Sequence, residues 1–225
     1  MVTEEQIIGL DDSKLVNFKD DPGRLSVLMA DREAAKALAA LFEHAYEMGF
    51  ELRIASAYRS FYRQFKIFDE KFKGKRAVLD EHEDPMDISA LSDEQKVLAI
   101  VRYSAVPGFS RHHFGTDFDV YAINLLPEGK ELELTAREYE KGQYFHKLGQ
   151  YLGSNLGKFG FIRPYSGKGC IAYEPWHISY EKSAVNFVKN FPLEFALDYL
   201  GSFNEPWIPY AISYVKEHYR ELICL

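Results

Sequence analysis

The sequence predicts an α+β domain with helices packed on one side of a small, mostly antiparallel sheet. Three observations carry this. Residues 31–49 place Ala34, Leu38, Leu41, Phe42 and Ala45 on one helical face. Residues 50–54 and 117–121 alternate apolar with polar side chains, the period of a half-buried strand. Residues 159–165 and 170–180 read as two strands joined by Ser166-Gly167-Lys168-Gly169, a hairpin connection.

In chain order, Asp31 caps the first strong helix and Gly49 ends it. The strand at 50–54 runs into Ser56-Ala57-Tyr58-Arg59-Ser60. A second helix follows, with Phe61, Phe65, Phe68 and Phe72 at helical spacing and assigned to the core. Residues 74–89 form a charged loop. Ser92 and Gln95 have capping-box spacing and open a helix to about Tyr103, which Pro107 and Gly108 break. In the strand at 117–121, Phe118 and Val120 face one side and Asp117, Asp119 and Tyr121 the other. Thr135 and Glu138 offer a second capping box before a helical stretch that ends near Asn155, with Gly142 as an interruption. After Glu181 the pattern is helical to the end, with a break at 204–209. The expected organisation is a main domain over 1–191 and a helical extension over 192–225 packed on it.

With 47% hydrophobic and 15% aromatic residues, the 225-residue chain can bury a large core. Its net charge of −7 argues against nucleic acid as the main partner, because no excess of Lys and Arg exists to neutralise phosphates. The same balance disfavours attraction to anionic membranes, and no run of 18 apolar residues predicts a spanning helix. The start of the chain has no secretory pattern. A cytoplasmic protein is expected, or a periplasmic one if a signal has been removed. Cys170 and Cys224 have neither metal-knuckle nor redox spacing and are expected to be free thiols.

Two stretches carry the chemistry: Ser-Arg-His-His-Phe-Gly-Thr-Asp-Phe-Asp at 110–119 and Glu-Pro-Trp-His at 174–177. They offer His112, Asp119 and His177 as metal ligands. Three imidazole and carboxylate ligands with a fourth position open are the composition of a catalytic zinc site. His113 competes with His112, since neighbours on an extended chain point opposite ways, and spacing alone does not choose. Glu174 is a carboxylate beside the site, suited to general base and acid work. Pro175 fixes the backbone between Glu174 and His177. Arg59 reads either as a surface ion-pair residue or as a cation that stabilises an oxyanion. Gln64 lies about one and a half turns further on and can line the same pocket mouth. Asp117 shares a face with Asp119 and reads either as an outer group orienting a ligand histidine or as a solvated carboxylate.

At these residues the chain resembles the VanY-type zinc D-alanyl-D-alanine carboxypeptidases, within the wider group of D-Ala-D-Ala dipeptidases and L-alanyl-D-glutamate endopeptidases. The family pattern SxHxxGxxxD matches Ser110, His112, Gly115 and Asp119. EPWH stands unchanged at Glu174, Pro175, Trp176 and His177, and SxYRSxxxQ matches Ser56, Tyr58, Arg59, Ser60 and Gln64. The resemblance implies a Hedgehog/DD-peptidase-like α+β fold over the zinc peptidase domain and one zinc ion on His112, Asp119 and His177. It implies Glu174 as catalytic base and Arg59 as the group polarising the scissile carbonyl. Ser110 and Gln64 would hold the terminal carboxylate of a peptidoglycan-derived peptide or its nearby backbone. The leading expectation is a D-Ala-D-Ala carboxypeptidase. The alternatives are a dipeptidase, an L,D-carboxypeptidase, an endopeptidase or a non-catalytic zinc-containing binding module. A monomer is expected over a dimer. Two departures stand out. The family usually has a small residue where Asp117 stands, and an Arg-Tyr pair where this chain has Ser179 and Tyr180. The segment beyond 192 lies outside the matched region.

Overall fold

The structure is a computed structural model that describes residues 2–168 and 171–223. Cys170 and Cys224, expected as free thiols, lie outside the described residues. A short helix α1 (Glu4–Ile7) and a hairpin of β1 (Val16–Phe18) and β2 (Leu28–Ala30) precede the first long helix, α2 (Arg32–Glu47). The Asp31 carboxylate accepts from the Glu33 and Ala34 N–H groups and so starts α2. Gly49, at φ +86°, turns the chain after it. Then come β3 (Leu52–Ser56) and α3 (Phe61–Phe72), with Ser60 capping the helix through the Arg63 N–H. The charged loop holds a small hairpin that its sequence did not suggest, β4 (Val78–Leu79) with β5 (Pro85–Met86). Helix α4 (Asp93–Val101) opens on the expected Ser92–Gln95 capping box.

The central strand β6 (Asp117–Ala122) has Phe118, Val120 and Ala122 buried on one face. At Thr135–Glu138 only half of the expected box forms, the Glu138 carboxylate accepting the Thr135 N–H at 3.0 Å, and the segment is a single 3₁₀ turn. The regular helix α5 (His146–Asn155) starts only after Gly142, at φ +95°, has turned the chain. The expected long hairpin is reduced to β7 (Phe161–Ile162) and β8 (His177–Tyr180), paired antiparallel with Phe161 opposite Tyr180. Among the described residues between them, one bridge, from Ser166 to Tyr173, is retained. Glu174 therefore stands on a turn and not on a strand. Helices α6 (Glu181–Lys189), α7 (Leu193–Gly201) and α8 (Ile208–Leu222) follow.

The four-stranded sheet has the order β3-β6-β8-β7, every pair antiparallel. One face packs on α2 and α5 through Leu38, Leu41, Ile54, Phe118, Val120, Leu148 and Ile178. A second core joins α3 and α4 to α7 and α8 through Phe61, Phe68, Val97, Leu197, Trp207 and Val215. The polar face of β6 and β8, which carries Asp117, Asp119, His177 and Ser179, lies on the side away from α2 and α5.

Candidate metal and catalytic site

Sheet register assembles the site. Asp119 on β6 is paired with Ser56 of β3 on one side and His177 of β8 on the other. A bulge between Ile54 and Ser56 ends the regular pairing of β3 at this point. His112 reaches the same place from a 3₁₀ turn (Arg111–Phe114) that leads into β6 through Gly115, at φ +70°. Suitable ligand atoms of His112, Asp119 and His177 all lie within 4.8 Å of one another, and all three residues are buried.

Hydrogen bonds identify which nitrogen each imidazole has available. His112 Nδ1 lies 3.0 Å from the Ala57 carbonyl, which accepts its proton and leaves Nε2 facing Asp119 Oδ2 at 3.2 Å. His177 Nε2 lies 3.0 Å from Asp117 Oδ1, so Nδ1 faces inward, 3.2 Å from both Asp119 Oδ1 and Glu174 Oε2. His113 does not compete. Its Nδ1 donates to the Arg59 carbonyl at 2.6 Å, and its Nε2 accepts the Gly108 N–H at 3.1 Å. Burial pushes the His113 imidazole down to about 3, so it stays neutral and fully occupied as a structural bridge.

The donor set fits a cation. Asp119 Oδ1 is buried and has no hydrogen-bond partner despite its nearness to His177. Burial alone would lower the His177 pKa, but Asp117, Asp119 and Glu174 outweigh it and hold the pKa well above the ordinary value. Burial would raise Asp119, yet the two histidines hold it far below the usual carboxylate range. Positive charge is therefore favoured between these groups, as a proton or as a metal ion. Imidazole nitrogens and a carboxylate, closely spaced and buried, suit zinc.

Glu174 and His177 are held by one turn. The His177 N–H donates to the Glu174 carbonyl at 3.2 Å, and Pro175 occupies the second position, where its fixed φ is suited. The buried Trp176 anchors this turn against Tyr139. Arg59 is fixed from two sides. Its Nη1 donates to Gln64 Oε1 at 2.7 Å and its Nη2 to Ser56 Oγ at 2.9 Å. Burial pushes the Arg59 guanidinium down, while Asp119 and Glu174 pull it back up. Gln64 is fully buried, and its Nε2 donates to the Ala105 carbonyl at 2.6 Å. Both ends of its amide are thus engaged with the protein, and it is not among the residues lining the cleft. Ser110 does line the cleft, and its hydroxyl makes no capping bond.

The cleft, about 380 Å³, lies between the sheet and α3. Its wall carries Arg59, Ser110, His112, Asp119, Glu174 and His177, and further out Lys71, Arg76 and Glu133. Lys71 was not anticipated from the sequence. It lies seven residues after Gln64, on the same face of α3, and its Nζ donates to Ser104 Oγ at 2.7 Å. Burial and the nearby cations Arg59 and Arg76 push its pKa down to about 8. The only sequence signal was the helical spacing from Gln64, which by itself marks a face and not a function.

The family profile of VanY-type D-alanyl-D-alanine carboxypeptidases matches residues 28–183. The chain belongs to this family. The match covers β2 through the start of α6 and so includes the whole constellation just described. Among curated relatives, an uncharacterised protein of Haemophilus influenzae is 46% identical over 74 residues, 32% of this chain and 56% of that protein. "Putative carboxypeptidase YodJ" of Bacillus subtilis is 30% identical over 155 residues, 66% of this chain and 45% of that protein. The chain thus spans about half the length of these two relatives. Among solved structures, VanYB in complex with D-alanine-D-alanine superimposes with a TM-score of 0.54 at 22% identity, covering 84% of this chain and 90% of that one. The LdcB LD-carboxypeptidase gives 0.53 at 26% identity, covering 83% and 78%. These likenesses agree with the α+β fold and with a small antiparallel sheet at its centre.

Proposed function

We propose that this protein is a zinc peptidase that removes the C-terminal D-alanine from peptidoglycan-derived peptides ending in D-Ala-D-Ala. The observation that carries the reading is the placement of Glu174 and Arg59 in one cleft with His112, Asp119 and His177. A purely structural metal site needs neither of those two groups, which speaks against the binding-module alternative. In support, a mutant of the D,D-pentapeptidase VanY, 23% identical to this chain, has been solved in complex with Zn(II).

His112 Nε2, a carboxylate oxygen of Asp119 and His177 Nδ1 would hold the ion. Zinc when bound supplies Lewis acidity and makes water nucleophilic near neutral pH. Glu174 accepts the proton of the attacking water and returns it to the leaving amine. Arg59, held rigid by Ser56 and Gln64, donates to the scissile carbonyl oxygen as negative charge develops there. Gln64 accordingly acts through Arg59 and not by touching substrate. Ser110 binds near the substrate's terminal residue.

The charge of the cleft favours an exopeptidase. Three cations (Arg59, Lys71 and Arg76) face three carboxylates (Asp119, Glu133 and Glu174), so a bound divalent ion leaves the cleft net positive on a chain of charge −7. Lys71 is assigned to a carboxylate of the peptide. An L,D-carboxypeptidase is the second reading, favoured by the likeness to LdcB.

The test is mass spectrometry of products from pentapeptide, tetrapeptide and free D-Ala-D-Ala, with zinc-loaded wild type beside Glu174→Gln. Release of one D-alanine from the pentapeptide by the wild type alone is expected. Turnover of only the tetrapeptide would move the assignment to an L,D-carboxypeptidase. Full activity of Glu174→Gln would remove that residue from the mechanism.

A further inference from the structure

Asp117 is fully buried and sits at the centre of a network that ties the metal site to the end of the chain. Its Oδ1 takes the His177 Nε2 proton at 3.0 Å and the Arg111 Nε proton at 2.8 Å. Its Oδ2 accepts from Thr116 Oγ1 at 2.6 Å and Ser179 Oγ at 3.0 Å. Arg111 is itself buried between β8 and α8. Its Nη2 donates to Ser179 Oγ at 2.6 Å and its Nη1 to the Ile223 carbonyl at 2.7 Å, just beyond the last turn of α8. On the other side of His177, the Tyr165 ring meets the imidazole edge-on at 4.8 Å, and its hydroxyl donates to the Leu222 carbonyl at 3.2 Å.

Two consecutive carbonyls at the end of α8 therefore anchor the two side chains that bear on His177, Tyr165 directly and Arg111 through Asp117. A buried carboxylate on one imidazole nitrogen fixes the tautomer, sets the ring angle and raises the basicity of the other nitrogen. The small residue expected at position 117 provides none of this.

We infer that Asp117 and Arg111 are positioning residues that fix His177 for ligation through Nδ1, with the C-terminal turn of α8 as their anchor. The inference rests on the metal-site reading above. It gives the helical extension a part in metal binding and makes the departure at position 117 a functional one.

The test is zinc affinity of the 225-residue chain by chelator competition, together with the ¹⁵N chemical shifts of His177. Asp117→Asn and Asp117→Ala should bind zinc about 10- to 100-fold more weakly than wild type. Zinc-loaded wild type should show His177 protonated at Nε2 and ligating through Nδ1, and Asp117→Ala should lose that single-tautomer signature. Because each single variant removes the Asp117 carboxylate from beside the buried Arg111 guanidinium, the double variant Asp117→Asn/Arg111→Gln changes both groups together. It should regain the melting temperature of the metal-free wild type while its zinc affinity stays low, a split that a merely structural role would not produce. Wild-type zinc affinity in the Asp117 variants would overturn the inference and leave the proposed function standing. A wild type that binds no zinc would overturn both.

Discussion

His112 and His113 are adjacent and both buried, yet they have opposite roles because of what each nitrogen meets. His113 spends one nitrogen on the Gly108 N–H and the other on the Arg59 carbonyl. Replacing it with leucine strands both partners, at a cost of about 2–3 kcal/mol, and should leave the capacity for one zinc per chain. His112→Ala should instead lose the zinc, with a folding cost of about 1–3 kcal/mol from the one buried acceptor it strands, the Ala57 carbonyl. Urea unfolding combined with metal stoichiometry separates the two, and loss of zinc by His113→Leu with unchanged stability would reverse the assignment. Lys71 gives a pH test. With its pKa pushed down to about 8, it carries its charge below that pH and loses it above. KM for a free-acid peptide should rise as pH rises through about 8, and Lys71→Met should lack this step. At pH 7 the variant should bind the free acid roughly tenfold or more weakly, the worth of a charged hydrogen bond, while a C-terminally amidated peptide should not distinguish the two proteins. Equal KM for acid and amide in the wild type would remove Lys71 from substrate binding. That His112, Asp119, His177 and Glu174 come together was legible because rare residue types stand in two short motifs of fixed spacing. Lys71, Arg111 and Tyr165 were not, since a lysine on a helix and an arginine or tyrosine beside a motif look the same whether solvated or buried.

At the scale of elements, local signals located helix starts well and strand ends poorly. Asp31 and Ser92 each accept the N–H bonds read for them from the sequence, because that interaction is complete within three or four residues, whereas Thr135 opens only a 3₁₀ turn. The stretch 170–180 reads as one strand of a hairpin, but among the described residues only His177–Tyr180 form one. The turn closed by Glu174 and His177 lifts the preceding residues out of the sheet, and pairing depends on partners distant in sequence. Gly115 is the element-level hinge of the site. At φ +70° it turns the chain from the His112-bearing 3₁₀ turn into β6, and its carbonyl accepts the Asp31 N–H at 2.8 Å. An added Cβ would stand 2.7 Å from Leu15 Cδ2 and 3.2 Å from the Asp31 backbone nitrogen. Gly115→Ala should therefore cost more than about 1 kcal/mol and weaken zinc binding by displacing His112 relative to Asp119. Unfolding free energies from urea titration within about 0.3 kcal/mol of wild type, with unchanged zinc affinity, would show that this turn has slack.

At the scale of the whole molecule, the sequence suggested an extension after residue 191, and the structure shows what that segment covers. Leu197, Leu200, Trp207, Ile208, Val215 and Leu222 are buried in the same cluster as Phe61, Phe68, Val97 and Ile100 from α3 and α4. Trp207 lies between Phe65 and Phe68, with ring centroids 5.1 and 4.7 Å away, and its indole N–H donates to Asp69 at 3.3 Å. Each such side chain contributes about 1.5–3 kcal/mol on full burial, so together they rival the roughly 5–15 kcal/mol net stability of a whole domain. Trp207→Ala alone should cost about 3–5 kcal/mol. A chain ending at residue 191 should lack a cooperative unfolding transition, expose the α3 phenylalanines to a hydrophobic dye and fail to hold zinc. Calorimetry and dye binding on that truncated chain, beside the full chain, decide the matter. A cooperative transition with retained zinc would make 1–191 a self-sufficient peptidase domain. Its absence would make α7 and α8 part of the one core that holds α3, and with it Arg59 and Lys71, against the metal-bearing sheet.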